Sequence, residues 1–397
     1  MSPVVVVGAG PVGLTAALCL CALGIEVTVL EKRGRDAVRP GSRALFVHND
    51  SLQLLDRAQR GLGTEIAEHG TTWHTRRTLF RGREVYSKTY RKPTGAELPP
   101  FASLRQIDTE RFLLRAAESA GADVVWDADV TRVSATDADV TLEAGDGRSW
   151  RSHYVIAADG ARSAVRSAVG IALAGSRALG SHVVVDVSAG ARPRPLERSY
   201  HYAHPALSGR NVLTVPFTGG FQVDLQCRPD DDPDDLTAEA AVARWIRAVV
   251  DEDEIGDVLW VSHYQFMQVI AERFVDASRR VLLAGEAAHL FPPFGARGMN
   301  SGMADAEAAA RAVGLALTCG KRTSVEDYDR VRREAARRNS WAVGAALRHV
   351  APPSPFGKMK LALAGWLAPH VPKIGEWLER APYGPRRPPR PGGRGRY

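Results

Sequence analysis

Four cysteines in 397 residues are too few for a disulfide framework. Cys19, Cys21, Cys227 and Cys319 lack the paired spacing of a metal site, so no metal is expected. Cys19 and Cys21 fall on an apolar helix and read as buried thiols in a reducing cytoplasm. No apolar run approaches the roughly 18 residues that a spanning helix needs, so no transmembrane segment is expected. The opening MSPVVVVG has no basic stretch ahead of an apolar one, which predicts no secretory signal. Acid is absent from the last twelve residues, where Arg386, Arg387, Arg390, Arg394 and Arg396 crowd among prolines and glycines. That segment cannot bury a core, so 386–397 is expected to be a disordered basic tail. The net charge of +7 therefore implies no specific nucleic-acid partner. With 45% hydrophobic and 24% charged residues, the rest reads as an ordinary globular chain too long for one small core.

What is present is concentrated in three segments. Val281 to Gly302, VLLAGEAAHLFPPFGARGMNSG, is a hydrophobic strand, a Gly-acid pair (Gly285, Glu286), a histidine, two prolines and a glycine-rich turn into a helix. A buried strand ending on Gly-acid aims a carboxylate out of the sheet's carboxyl edge, where open α/β sheets bind ligands. The helix start after Gly295 and Gly298 offers free N–H groups and a positive dipole end. A site that wants both a polyol and a delocalised anion reads as a flavin site.

The N-terminus, VVVVGAGPVGLTAALCLCALGIEVTVLEK, supplies the other half. An apolar strand leads into Gly8-x-Gly10-Pro11-x-Gly13, an apolar helix, and a second strand ending in Glu31 and Lys32. Gly8 permits the tight turn, Gly10 lets the backbone approach a pyrophosphate, and Gly13 packs helix on strand. Glu31 suits ribose hydroxyls, so the adenosine end of the cofactor belongs here. Between these segments, HYVIAADGARSAVR is a third buried strand stopped by Asp159-Gly160, with Ser163 and Arg166 following. Taken alone, Asp-Gly is a common turn, its Asp steadied by a neighbouring Arg.

Together, GAGPVG (8 to 13), DGARSAVR (159 to 166) and GEAAHLFPP (285 to 293) resemble the three marks of the single-component flavoprotein aromatic hydroxylases, the family of 4-hydroxybenzoate and salicylate hydroxylases. The marks come in the family's order over roughly residues 3 to 345. One departure is Glu286, which stands where the family has Asp and reaches one methylene further toward the ribityl chain. The resemblance implies FAD as cofactor, NADPH or NADH as co-substrate, and monooxygenation. Reduced flavin traps dioxygen as a C4a-hydroperoxide, and one oxygen atom passes to an electron-rich substrate. The cofactor carries that chemistry while the protein positions and excludes water. No second GxGxxG is present for a separate nicotinamide domain, in keeping with a reductant that docks transiently.

The implied fold is α/β: a Rossmann-like FAD-binding domain with an inserted antiparallel β-sheet substrate domain and C-terminal helices. The expected division is 1–70, 100–175 and 276–345 for the FAD-binding domain. Residues 71–99 form a substrate-domain excursion, 176–275 the substrate sheet, 346–385 a helical segment and 386–397 the tail. SHVVVDV, NVLTVPF and GFQVDLQC alternate or run apolar between breaks, as strands do. TAEAAVARWIRAVV, after PDDDPDDL, reads as one helix. The extra C-terminal domain of some relatives is expected to be missing.

By the same resemblance, Pro293 lies against the reactive edge of the flavin, and Gly295, Gly298, Met299 and Asn300 (GARGMN) face its pyrimidine end. Arg297 adds positive charge there, with a surface arginine as the competing reading. Arg43 serves the pyrophosphate or the nicotinamide cofactor, Gln106 makes a polar contact near the flavin, and Arg166 pairs with Asp159. His289 has no second ligand nearby and reads as a packed structural histidine. Pocket walls are expected around Tyr200 to His204, Val215 to Phe221 and His263 to Met267, where Tyr or His could deprotonate a phenol. The expected partners are dioxygen and an aromatic, phenolic or polyketide-like small molecule, the protein being a monomer or homodimer. Epoxidation, Baeyer–Villiger oxidation, a non-oxygenating oxidoreductase and a flavin-free binding protein remain open alternatives.

Overall fold

The computed structural model describes residues 2–37, 45–91, 97–352 and 354–385. The arginine expected at position 43 and the tail from 386 lie outside the described residues. β1 (Ser2–Val7) is a valine run whose last four residues are buried, the composition of a strand covered on both faces. It leads through α1 (Pro11–Ala22) to β2 (Val27–Leu30), β3 (Phe46–His48), α2 (Asn49–Ala58) and α3 (Leu62–His69). A hairpin of β4 (Thr75–Phe80) and β5 (Arg83–Thr89) follows. The chain returns through β6 (Phe101–Ser103), α4 (Gln106–Ser119), β7 (Asp123–Val125), β8 (Val130–Ala135), β9 (Val140–Ala144), β10 (Ser149–Ala157) and α5 (Ala164–Ala168). A second excursion builds β11 (Leu173–Ala189), β12 (Glu197–His204), β13 (Arg210–Phe217), β14 (Gly220–Gln226), α6 (Pro233–Thr237), α7 (Glu239–Arg247) and β15 (Ile255–Ala271). Then come β16 (Val281–Leu283), β17 (His289–Leu290), α8 (Arg297–Cys319), α9 (Thr323–Val350), α10 (Pro355–Leu367) and α11 (Pro372–Arg380).

Two sheets organise these elements. The first has the order β7-β2-β1-β10-β9-β8, with β16 against β10. β7, β2, β1, β10 and β16 run parallel, so the loops after β1, β10 and β16 all leave from one edge. The second sheet runs β17-β15-β11-β14-β13-β12-β4-β5. Its pairings are antiparallel apart from β12 with β4, which the sequence reading did not anticipate. The result is an α/β fold, a Rossmann-like body carrying an inserted, largely antiparallel sheet and C-terminal helices.

Strand alternation sorts the second sheet into two faces. Val183, Val185, Val187, Phe221, Val223 and Leu225 pack under Val242, Trp245 and Ile246 of α7. Each such buried side chain contributes roughly 1.5–3 kcal/mol. The helix expected over 237–250 divides because Ala238 is extended (ψ 137°). That break lets α7 lay its apolar stripe on this outer face. The inner face presents His182, Asp186, Arg198, Tyr200, Gln222 and Asp224, and its Tyr200, Tyr202 and Phe266 join the core of the main body. Of the two thiols on α1, Cys19 is buried and Cys21 only half-buried, because the helix's last turn reaches the surface.

Candidate functional site

The three glycine-bearing loops are packed directly on one another. Gly8 has φ +102°, and a Cβ there would lie 2.5 Å from the carbonyl oxygen of Ala158, beside Asp159. A Cβ on Gly13 would lie 1.8 Å from the Gly8 oxygen. Val12 occupies the room left by Gly285 and Gly302, whose added Cβ atoms would fall 2.8 and 2.5 Å from its Cγ2. Glu286 is exposed at this edge, its Oε2 4.0 Å from where a Cβ of Gly160 would sit.

Two helices begin here with no side-chain cap: α1, N-capped by Gly10 with Pro11 first, and α8, N-capped by Ala296. A Cβ added to Gly10 or Gly298 would meet no protein atom within 4 Å, so both helix starts face open space. Glu31 is buried at the end of β2, where it accepts from the N–H of Ala9 (2.7 Å) and of Arg33 (3.1 Å). Lys32 beside it is exposed. Free N–H groups at two positive helix ends suit a pyrophosphate and an anionic ring, and the carboxylates of Glu31 and Glu286 suit sugar-type hydroxyls. These donors and acceptors fit FAD.

Several side chains play parts that the sequence did not disclose. Asp305, fully buried on α8, accepts from the Gly285 N–H (3.1 Å), pairs with His289 Nε2 (2.7 Å) and receives Arg332 Nε (2.7 Å). Burial alone would raise its carboxyl, but His289 and Arg332 outweigh burial and hold it below the usual carboxylate range. Asp305 thus props the Gly285–Glu286 turn from beneath, and His289, stacked on Phe291, is part of that prop. Asn300 accepts from the His48 N–H and Ser51 Oγ and donates to Phe46 and Ala296 oxygens, clamping the first turn of α8 to β3.

Arg166 departs from expectation. It makes no ion pair with Asp159 and instead donates to the carbonyls of Ala161 (3.3 Å) and Ala287 (3.2 Å), tying the second loop to the third. Asp159 accepts from the Val165 N–H, and burial pushes its carboxyl up. Gln106 opens α4 and donates to Glu110 (2.9 Å). Arg297 turns toward Asn339 (3.0 Å) and the carbonyls of Tyr383 and Pro385, and burial lowers its guanidinium. Met299 is buried, and Pro293 caps the short turn that carries Phe294.

Phe294 joins this edge to the second sheet. Its ring lies 5.6 Å from Phe266 and 6.0 Å from His182, and His182 itself is 4.7 Å from Phe266. On the same inner face His182 pairs with Asp224, and Gln222 donates to Asp186 at 2.8 Å. Of the expected wall positions, Tyr200 and Tyr202 do face inward, whereas Phe221 belongs to the outer cluster under α7. The signal that could have found His182 and Asp224 is a polar residue at alternate positions of otherwise apolar strands.

The chain is similar to several known hydroxylases and monooxygenases. The 3-(3-hydroxyphenyl)propionate/3-hydroxycinnamic acid hydroxylase of Comamonas testosteroni is 29% identical over 341 residues, covering 84% of this chain and 56% of its own. The 6-methylpretetramide 4-monooxygenase of Streptomyces rimosus is 32% identical over 322 residues, or 76% of this chain and 54% of its own. The chain thus spans little more than half the length of these relatives. The crystal structure of p-nitrophenol 4-monooxygenase from Pseudomonas putida superposes with a TM-score of 0.75 at 23% identity, covering 97% of this chain and 99% of that one, and so shares its fold. No helix among the described residues is long and apolar enough to cross a membrane. A family model described as the FAD binding domain matches residues 1–341, and the chain belongs to that family, which is also that of the flavoprotein aromatic hydroxylases.

Proposed function

We propose that the chain is a cytoplasmic FAD-dependent monooxygenase that uses NADPH or NADH and dioxygen to insert one oxygen atom into an aromatic, phenolic or polyketide-like small molecule. The observation that carries this reading is the junction at Phe294, where the glycine-rich cofactor edge meets a buried polar sheet face. The hydroxylase and monooxygenase activities of the relatives support the same choice.

When bound, FAD supplies reduction by the nicotinamide and activation of oxygen. The chain's own residues do the rest. N–H groups at the start of α8, around Gly298 and Asn300, offset negative charge on the pyrimidine end of the ring. Pro293 and Phe294 shield the reacting edge from water. His182, held by Asp224, offers a hydrogen-bonding partner to a substrate hydroxyl on the second-sheet side.

The test is incubation of the purified yellow protein with NADPH or NADH, labelled dioxygen and a panel headed by 3-(3-hydroxyphenyl)propionate and tetracyclic phenols. One labelled oxygen atom in the product is the expected result. Reductant consumed with every substrate and no label in any product would overturn it.

A further inference from the structure

A helix on the surface of a globular body ordinarily buries its large apolar residues and exposes its polar ones. α10 does the reverse. Ser354 caps it, accepting from the Gly357 N–H (3.1 Å), and Pro355 opens it. Its inward side is made of small residues. Ala364, Gly365 and Ala368 are buried, and a Cβ on Gly365 would lie 2.4 Å from the Phe80 ring. Its large apolar side chains stand on the other side: Phe356 is 70% exposed, Met359 61%, Leu363 54% and Trp366 67%. Phe356, Trp366 and Met359 are the three most exposed large apolar side chains among the described residues. Spaced at i, i+3, i+7 and i+10, the four form one stripe along the helix. A contiguous apolar stripe facing water marks an interaction surface.

The charge around the stripe selects its partner. By the helix period Lys358 and Lys360 stand one on each side of it, and both are exposed. From Ala335 to Gly375 the sequence has no Asp or Glu, while Arg337, Arg338, Arg348, Lys358, Lys360 and Lys373 fall within it. The next acid, Glu376, is engaged by Arg380 at 2.9 Å. Beyond Glu379 no acid follows, and the last twelve residues bring five arginines. A chain of that length can reach about 40 Å. A second copy docked stripe to stripe would set these lysines against their own counterparts, with no acid between to answer them, and like charges brought together oppose association. An anionic lipid surface answers both features at once. Its acyl layer accepts the aromatic and aliphatic side chains, and its headgroups accept the lysines.

We propose that α10 is an interfacial helix that seats the protein on an anionic lipid surface. Phe356, Met359, Leu363 and Trp366 enter the boundary between headgroups and acyl chains, and the arginine-rich terminus supplies a second attachment. One weak signal gives only marginal, reversible contact, whereas two together give stable anchoring. Each Lys or Arg near such a surface strengthens binding about fivefold. The thirteen residues of α10 are too few to cross a bilayer, so the helix lies along it. The inference stands independently of the monooxygenase reading.

The experiment is flotation of the full chain with vesicles of phosphatidylcholine alone and of equal parts phosphatidylcholine and phosphatidylglycerol, at low and at high salt. The mixed vesicles are expected to bind about tenfold or more tighter than the neutral ones, and salt should weaken that binding. Phe356→Ser combined with Trp366→Ser should lower the affinity for mixed vesicles by about tenfold or more. Both side chains are exposed, so the circular dichroism of that variant should match the unaltered protein. Removal of 386–397 should reduce the preference for the anionic vesicles and leave the remaining binding dependent on α10. With bromine-labelled acyl chains part of the tryptophan emission should be quenched, and Trp366→Phe should remove most of that quenching. Absence of binding to mixed vesicles at low salt, or binding that the double serine variant retains in full, overturns the proposal. So does a dimer of the vesicle-free protein, seen in sedimentation equilibrium, that the double variant dissociates, since the stripe would then belong to a second copy.

Discussion

The two sheets build their halves of the site in opposite ways. At the carboxyl edge of the parallel sheet the site is made of backbone, with Gly8, Gly10, Gly285 and Gly298 clearing space so that loops and helix starts can approach a ligand. On the inner face of the second sheet it is made of side chains, with His182, Asp224, Gln222, Asp186 and Arg198 turned inward and the apolar residues turned toward α7. A backbone-built site fixes the constant part of a ligand, since main-chain groups barely vary with sequence. A side-chain-built face can be retuned residue by residue without disturbing the sheet. The difference suits the first region to the common cofactor and the second to substrate choice, as the proposed function requires.

The largest expected effect tests whether the edge is truly independent of side chains. Asp305→Ala strands Arg332 and His289 and releases the Gly285 N–H. It should destabilise the protein by about 3–5 kcal/mol and lower flavin content, as read by urea unfolding and visible absorbance. Unchanged stability would mean that the edge holds itself up through backbone packing alone.

An intermediate effect comes from pH and touches both regions. Burial, aided by Arg297, lowers His48 on the edge from 6.5 to about 4. Burial, aided by Lys360, lowers His349 from 6.5 to about 4, where it meets the Tyr202 hydroxyl at 2.8 Å beneath the second sheet. Both folded values lie below the unfolded one, so the unfolded chain takes up protons first. Stability is full above about pH 6.5 and is lost as pH falls toward 4, by about 2 kcal/mol for each histidine near pH 5. Thermal melts across that window should show the loss, and His349→Gln should remove one histidine's share of it, about 2 kcal/mol near pH 5. A flat profile would place both rings in contact with water.

The smallest effect sharpens the distinction most. A methyl group on Gly298 meets no protein atom, so Gly298→Ala should leave the melting temperature of the flavin-free protein unchanged or raise stability by less than about 1 kcal/mol. The same methyl enters the space in front of α8, so flavin occupancy should fall. Full occupancy would move the ring away from this helix start.

The same contrast explains what could be read in the chain. Strand, turn glycine, helix and acid follow one another within some thirty residues, so the loop after β1 was legible, and Glu31 lies beside it as expected. The strands SHVVVDV, NVLTVPF and GFQVDLQC were also legible from local pattern and fall on β11, β13 and β14. What depends on distant pairing was not. Arg166 was expected to answer Asp159, its near neighbour, yet it bonds the Ala287 carbonyl 121 positions away. His182 meets Asp224, and Arg198 meets Tyr383, only because of strand register and the docking of the C-terminal turn. Asp305 looked like one more polar residue on an alanine-rich helix, and its role appears only when α9 brings Arg332 against it.

The Asn300 clamp has a temporal meaning as well. It joins positions 48 and 51 to position 300, separations of 252 and 249 residues. On a ribosome, this clamp cannot close until about three quarters of the 397 residues have been made. The loop after β1, whose Val12 packs against Gly285 and Gly302, waits through that interval without those neighbours. On the proposed function, the flavin would be taken up only after these distant segments have joined, and its binding would favour the joined state.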